Sequence, residues 1–268
     1  MMEGSAPIGR IYDGGYAFAE PEHARAYADA IDDPTPLEGG VCPPMFHVRL
    51  FKTLMFTVAC DPDLGLDLLR LVHGEHDATF HRPLRPWDLV QLRARLESVD
   101  DKPSGRVVTA RLFGLVEGEL AIEARTVYFV RGPGGSRRSA EPPPEPAPAP
   151  EHVAAVTMTP DQSLRYAAAS LDDNPIHTVP EVARFAGLPD VIVHGLCTLA
   201  KCGVALTGTL AGGDARRIRR LGARFSRPVP NGASLEVGAW RTHDDAWAWT
   251  ATHGGAPAVT QGVVELRA

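Results

Sequence analysis

Apolar positions in the second half of the chain recur with helical spacing and then change to the alternation of strands. A helix is predicted to open at Pro160, with Thr159 as its cap and Gln162 at the capping-box position. Its apolar stripe would contain Leu164, Ala167, Ala168 and Leu171. A longer helix rich in small residues is predicted over residues 196–206. Strands are then predicted over residues 235–240, 246–252 and 258–266, with turns at Asp244-Asp245 and Gly254-Gly255.

The first half follows the same order. Pro21 opens a helix with an apolar stripe of Ala24, Tyr27, Ala28 and Ile31. A longer helix over residues 46–59 places one apolar face at Leu50, Phe51, Leu54, Met55 and Val58. Strands over residues 107–113 and 120–130 meet at a Glu117-Gly118 turn. Short helix, long helix and antiparallel strands, twice over, predict an α+β fold.

Two sequence echoes indicate that the halves arose by duplication. Six residues recur 139 positions later, as Pro21, Tyr27, Ala28, Ala30, Asp33 and Pro36 become Pro160, Tyr166, Ala167, Ala169, Asp172 and Pro175. At an offset of 145, Phe80-His81-Arg82-Pro83-Leu84 returns as Phe225-Ser226-Arg227-Pro228-Val229. Residues 133–150 are rich in Pro, Gly and Ala and predict an extended linker. The expected organisation is therefore an amino-terminal repeat over residues 1–132, the linker, and a second repeat over residues 151–268.

Charge and composition narrow the classes of partner. The 268 residues are 44% hydrophobic, enough for a substantial core, and the net charge of -6 gives no general attraction for nucleic acid or an anionic membrane. No apolar run approaches the roughly 20 residues of a membrane span, and residues 1–10 have no apolar signal region. A cytoplasmic protein is therefore expected. The four cysteines are too scattered for a disulfide framework, and Cys197 and Cys202 are interpreted as buried helix thiols, with a metal site as the weaker alternative.

The segment after the short helix of the second half carries the most informative spacing. It places Asp172 and His177 five residues apart, separated by Asn174-Pro175. The residue before a proline is pushed out of the helical region, so Asn174-Pro175 is expected to end the helix and turn the chain sharply. Such a turn can bring a carboxylate and an imidazole around one water, which the imidazole can deprotonate near neutral pH.

This segment resembles the signature of the MaoC-like, or (R)-specific enoyl-CoA hydratase, family. The resemblance continues at Val193-His194-Gly195 and at the Phe225 to Val229 segment, and Phe80 to Pro86 is similar to the degenerate first repeat of two-domain members. It implies a double hot-dog fold, in which an antiparallel sheet wraps a long helix in each half. Leu171 departs from the family pattern, because many members have Gly there.

The resemblance also implies roles for individual residues. Asp172 and His177 would be the catalytic pair, with the Gly195 N–H as oxyanion donor at the positive end of a helix. Alternatively, the glycine at position 195 would be required for close packing. Asn174 would shape the turn beside the substrate, and His194 would be either a substrate contact or a structural histidine. The dense basic cluster of Arg216, Arg217, Arg219 and Arg220 would bind carrier phosphates, or alternatively blunt an exposed strand edge.

One functional site is expected per chain. At the offset of 139 the first half has Asp33, Thr35 and Glu38 where the second has Asp172, Asn174 and His177, so it lacks the imidazole and would instead supply pocket wall for an acyl chain. Val72-His73-Gly74 imitates the His-Gly tripeptide but lies outside the repeat register, so it is discarded.

The expected reaction is hydration of a 2-enoyl thioester of coenzyme A or an acyl carrier to an (R)-3-hydroxyacyl thioester, or its reversal, without metal or redox cofactor. A homodimer is a further expectation. Three alternatives stay open: a hot-dog thioesterase, which would release free acid; a non-catalytic acyl-thioester binding subunit, which would bind without turnover; and a hydratase specialised for branched or dicarboxylic thioesters, which only a substrate panel would separate.

Overall fold

A computed structural model describes residues 7–35, 40–132 and 149–267 of the chain. Most of the predicted linker, and Pro36 and Glu38 of the repeat comparison, lie outside the described residues. None of the described helices combines the length and the apolarity needed to cross a membrane.

The first half places one strand before its helices and four after them. Its elements are β1 (Ile11–Phe18), α1 (Pro21–Ala30), α2 (His47–Ala59), β2 (Leu71–Phe80), β3 (Leu89–Lys102), β4 (Gly105–Val116) and β5 (Glu119–Arg131). The turn between β4 and β5 has left-handed backbone at both Glu117 and Gly118, as the sequence predicts for a tight hairpin. The predicted strands are confirmed within β4 and β5, whereas β1, β2 and β3 were not anticipated.

The second half repeats this order with extra short elements around the predicted site. Its elements are β6 (His152–Thr157), α3 (Gln162–Ser170), α4 (Pro180–Phe185), β7 (Ile192–Val193), α5 (Gly195–Ala211), β8 (Ile218–Phe225), β9 (Val229–Pro230), β10 (Ser234–His243), β11 (Ala246–His253) and β12 (Ala256–Leu266). The three predicted strands are confirmed as β10, β11 and β12. The long helix is confirmed as well, although it extends to Ala211, beyond the predicted end.

One ten-stranded sheet runs through both halves in the order β1-β3-β4-β5-β2-β8-β12-β11-β10-β6. The strands β2 and β8 form the seam between the halves and pair antiparallel, with Asp77 opposite Gly222. These two residues are 145 positions apart, the offset of the second sequence echo. The repeat-related strands therefore pair with each other around a pseudo-twofold axis.

The short helices meet at the same axis. The hydroxyls of Tyr27 on α1 and Tyr166 on α3 lie 3.1 Å apart, and both rings are fully buried. They are 139 positions apart, the offset of the first echo. Both echoes therefore mark structurally equivalent positions.

Each long helix packs on the sheet of its own half. The predicted stripe of α2 is confirmed, with Phe51 and Val58 fully buried, and α2 packs on β1 and β3. The helix α5 packs on β6 and β8, and Cys197 and Cys202 on it are buried thiols, as expected. The stripe predicted for α1 is also buried.

The prediction for α3 was wrong in its start and its buried face. The helix begins at Gln162, although the Gln162 side chain does accept the expected hydrogen bond from the Thr159 N–H, at 3.3 Å. Leu164 is exposed, and the buried face is largely polar instead. The reason is that α3 satisfies polar groups of its neighbours: Gln162 Nε2 donates to the Ala30 carbonyl at 2.7 Å, and Ser163 bonds Asn231.

The close approach of β2 and β8 requires a glycine at position 222. A Cβ at Gly222 would lie 2.7 Å from Cγ and 2.8 Å from Cα of Asp77, so Gly222→Ala should separate β2 and β8 and cost about 1–3 kcal/mol of unfolding free energy. Gly208→Ala is the matched control, since Gly208 lies inside α5 with open space around its Cα and alanine should stabilise that helix. Denaturant unfolding measures both. Equal stabilities for wild type and Gly222→Ala would contradict the close approach.

Candidate active site

The chain leaves α3 through a left-handed residue rather than through the proline. Leu171 has φ of 63° and caps the helix after Ser170, whose hydroxyl accepts the Asp172 N–H at 3.2 Å. The prediction that Asn174-Pro175 ends this helix was therefore wrong. Instead, the Asn174 side chain accepts the Ile176 N–H at 3.3 Å and starts a 3-10 turn over Pro175–His177. Asn174 thus shapes the turn that carries His177.

The His177 ring is held in one tautomer. Its Nδ1 lies 2.8 Å from the carbonyl oxygen of Ile192, and a carbonyl can only accept, so Nδ1 donates. In the neutral ring Nε2 therefore keeps its lone pair and can act as a base. Burial lowers the pKa of His177, and the Ile192 carbonyl and the Asp172 carboxylate oppose this without cancelling it. The imidazole is consequently neutral at physiological pH.

The Asp172 carboxylate forms an ion pair with the other half. Its Oδ1 accepts a hydrogen bond from Nζ of Lys52, on α2, at 2.8 Å. Burial by itself would raise the pKa of Asp172. Lys52, and a His194 ring that is charged at the low pH where the carboxyl would take up a proton, outweigh burial and hold that pKa well below its usual range. Asp172 is therefore ionised at neutral pH.

His194 contacts both Asp172 and His177. Its ring stacks on the His177 ring with centroids 3.7 Å apart, and its Nε2 donates to the carbonyl oxygen of Asp172 at 2.8 Å. Burial and the neighbouring His177 lower the pKa of His194 to about 3, although Asp172 opposes the shift. Its Nδ1 is buried and has no hydrogen-bond partner among the described residues. His194 therefore fixes the position of both predicted catalytic residues.

Gly195 begins α5 directly after His194. N–H groups in the first turn of a helix have no intrahelical acceptor and carry the positive end of the helix dipole. A Cβ at this position would lie 2.7 Å from the Phe225 ring, so close packing also requires glycine. The two sequence interpretations of Gly195 are thus compatible.

These residues line a cavity of about 710 Å³. Its wall includes Asp172, Asn174, His177, His194 and Gly195 from the second half, together with apolar residues of the first half such as Met55, Phe56 and Leu69. The cavity is large enough for a ligand with an extended apolar group.

The predicted arginine cluster is not brought to this cavity. Of the described residues that line it, none is Arg216, Arg217, Arg219 or Arg220. Arg216 pairs with Asp214 at 2.7 Å, Arg219 with Glu265 at 3.5 Å, and Arg220 clamps Asp77 across the seam at 2.6 Å. The alternative interpretation as a strand edge is wrong for Arg219 and Arg220, because β8 lies in the middle of the sheet.

Sequence reasoning missed the residues that the first half contributes. Lys52, His73 and Arg131 all line the cavity, and so does Arg227 from the second half. His73 was discarded as a coincidence; it is not equivalent to His194, since it lies on β2, yet its ring belongs to the site wall. The sequence signal for Lys52 is that it and Arg49 are two cations three residues apart on a mainly apolar helix that has no acidic residue. Their hydrogen-bond partners cannot be read from the neighbouring sequence, because Ala169 for Arg49 and Asp172 for Lys52 are each 120 positions away.

The pseudo-twofold counterpart of the site is nearly closed. Asp33 and Thr35 line a cavity of about 50 Å³ beside α5, and no histidine is among its described lining residues. Such a volume suits a few water molecules rather than an acyl chain. The first half therefore keeps the frame of the site without the imidazole or the space.

Comparisons with known proteins agree with this arrangement. Residues 142–261 match the MaoC like domain, and residues 6–119 match the FAS1-like, dehydratase domain region. The chain is 32% identical over 203 residues to 3-hydroxyacyl-thioester dehydratase Y of Mycobacterium tuberculosis, covering 70% of each protein. It is 28% identical over 231 residues to enoyl-CoA hydratase ChsH3 of the same organism, covering 82% of this chain and 76% of that protein.

Solved structures confirm the expected fold. The crystal structure of a MaoC-like dehydratase from Phytophthora capsici superimposes with a TM-score of 0.84 at 22% identity, covering 97% of this chain and 95% of that one. The double hot-dog architecture expected from the sequence is therefore the observed one.

The left-handed backbone at Leu171 predicts a stabilising substitution. A side chain at positive φ costs about 1–2 kcal/mol, and glycine avoids that cost while losing about 0.5–1 kcal/mol of chain entropy, so Leu171→Gly should raise the unfolding free energy by up to about 1 kcal/mol. Leu164→Gly is the control, because Leu164 is equally exposed but lies inside α3, where glycine should destabilise. Denaturant midpoints compare the two variants. A loss of stability in both would contradict strain at Leu171.

Proposed function

The chain belongs to the MaoC-like dehydratase family, and from this membership we propose that it interconverts 2-enoyl and (R)-3-hydroxyacyl thioesters by adding or removing water. The observation that carries the proposal is the placement of Asp172 and His177 on one cavity wall, with the His177 Nε2 free to accept a proton. The two residues would bind a single water between them. As that water attacks C3, His177 takes one of its protons, the new C–O bond forms, and C2 receives a proton from the same pair.

The Gly195 N–H is the proposed partner of the thioester oxygen. Negative charge builds on that oxygen when the C2=C3 electrons move toward the carbonyl. A fixed donor at the positive end of α5 meets that charge without reorganising, which is worth about 3 kcal/mol for a single donor of this kind. Stacking on His194 keeps the His177 ring at a constant distance from this helix end.

The cavity is proposed to hold both the acyl chain and the carrier arm. Met55, Phe56 and Leu69 offer an apolar wall from the first half. Arg131 and Arg227 are exposed residues of the cavity wall, so they lie where the cavity meets solvent. Guanidinium groups at such an opening suit the phosphates of coenzyme A or of a phosphopantetheine arm.

The catalytic pair is tested by substitution. Asp172→Asn and His177→Ala should each lower kcat by about 10²–10⁴-fold, and the double variant should lose little more, because both residues act on one water. The measurement is the absorbance of the conjugated enoyl thioester over time. Asp33→Asn, the repeat-related carboxylate, is the matched control and should leave kcat unchanged. A folded single variant of the pair with near-wild-type kcat would overturn the proposal.

The carrier site is tested by KM. Arg227→Ser and Arg131→Ser should raise KM for a coenzyme A thioester and leave kcat nearly unchanged, since phosphate contacts are the same in ground and transition states. A short thioester without the nucleotide should not respond. Arg216→Ser is the matched control from the cluster outside the cavity wall. A rise in KM confined to Arg216→Ser would return the phosphate site to the cluster that the sequence indicated.

A further inference from the structure

The ion pair between Lys52 and Asp172 joins the two halves at the reacting groups. The Lys52 side chain leaves α2 beside Phe56, with Nζ 5.9 Å from the centre of that ring, and ends 2.8 Å from Oδ1 of Asp172. The two side chains are 22% and 17% exposed. An ion pair this enclosed is screened far less than a surface pair, so its charges affect their neighbours strongly.

The contact leaves part of the carboxylate available. Of the described side chains, Lys52 is the one that donates a hydrogen bond to the Asp172 carboxylate, and it takes Oδ1. A carboxylate has about four acceptor positions on its two oxygens. Oδ2 is therefore left for a water molecule.

A related ion pair occurs on the other side of the pseudo-twofold axis, although it involves the neighbour of Asp33 rather than Asp33 itself, the counterpart of Asp172. Lys201, on α5, is buried and pairs with Asp32, which follows α1. Each long helix thus directs a lysine to the loop that follows the short helix of the other half. The two sides differ in their chemistry, because the second half alone has a histidine in that loop among the described residues.

We propose that Lys52 is a positioning residue for the reaction at this site: it holds Asp172 as a carboxylate with one oxygen occupied, so that the other oxygen orients the water and His177 carries the proton. The inference rests on the proposed function. It gives the degenerate first half a part in positioning the reacting groups of the second, in addition to a cavity wall.

The groups around Asp172 make Lys52 the decisive charge at neutral pH. Within the described residues, the carboxylate interacts electrostatically with Lys52 on α2, His73 on β2, Tyr128 on β5, Tyr166 on α3, and His177 and His194 of the second half. Burial lowers the pKa of His73 to about 4 and that of His194 to about 3, and it raises the pKa of both tyrosines. All of them except Lys52 are therefore uncharged near pH 7.

Loss of Lys52 should therefore raise two pKa values in the same direction. The buried carboxylate would lose its cation, and burial would then favour its protonated form. The lysine charge also lowers the pKa of His177, so that pKa would rise too. Because activity needs an ionised Asp172 and a neutral His177, the acid limb of the kcat/KM profile should move to higher pH.

The experiment compares Lys52→Met, Lys52→Arg and Arg49→Met in the full chain. For Lys52→Met we expect kcat to fall by about ten- to hundredfold and the acid limb to rise by about one pH unit or more. Lys52→Arg keeps the positive charge, so its kcat and the position of its acid limb should both be close to those of the wild type. Arg49→Met is the matched control: Arg49 lies on the same helix and donates to the Ala169 carbonyl of the other half at 2.7 Å, so it tests loosened packing and should leave the limb in place.

The outcomes separate the two proposals. An unchanged acid limb in active Lys52→Met, or an equal shift in Arg49→Met, would overturn the role of Lys52 while Asp172→Asn still reports on the reaction itself. If Lys52→Met turns over too slowly for a profile, the carboxyl ¹³C shift of Asp172 is titrated by NMR, with Asp172→Asn identifying the signal. The same titration midpoint in wild type and Lys52→Met would overturn the inference.

Discussion

The hydrogen-bonded seam between β2 and β8 is the constraint on which the rest of this structure depends. It sets Asp77 opposite Gly222 on the pseudo-twofold axis, and the close approach there leaves no room for a side chain on the glycine. Arg220 adds a two-pronged clamp on Asp77 across the same pair of strands. A register slip of two residues would move one half by about 7 Å relative to the other. Since Lys52 and Asp172 belong to different halves, such a slip would separate them.

Burial determines how the site handles charge. The imidazoles of His177 and His194 are buried and stacked on each other, which favours their neutral forms. Each ring donates its one N–H to a backbone carbonyl. The tautomers follow from these carbonyls rather than from the carboxylate. The negative charge of Asp172 is tolerated in the same enclosure because Lys52 accompanies it. The surroundings thus determine both protonation states: His177 is neutral and Asp172 is ionised.

Duplication gave two equivalent frames with unequal interiors. Both halves place a lysine of one long helix against a carboxylate near the loop of the other half, and both share the buried tyrosine pair at the axis. The second side opens into a cavity of about 710 Å³, whereas the first retains about 50 Å³. The tyrosine pair between α1 and α3 and the seam between β2 and β8 join the two halves, so both frames contribute to the structure that carries the larger cavity.

The sequence by itself determined the elements whose cause is local. Helical periodicity located α1, α2 and α5, and tight-turn residues located the β4–β5, β10–β11 and β11–β12 hairpins. The spacing from Asp172 to His177 located the proposed catalytic pair. The sequence also revealed the duplication, because residues separated by each of the two offsets meet at the pseudo-twofold axis. The buried face of α3, the end of that helix at Leu171 and the seam were decided by tertiary structure, because they depend on which groups of the other half need a partner. Lys52, His73 and Arg131 joined the site for the same reason: a cavity wall is built from residues far apart in the chain, and no local pattern records that proximity.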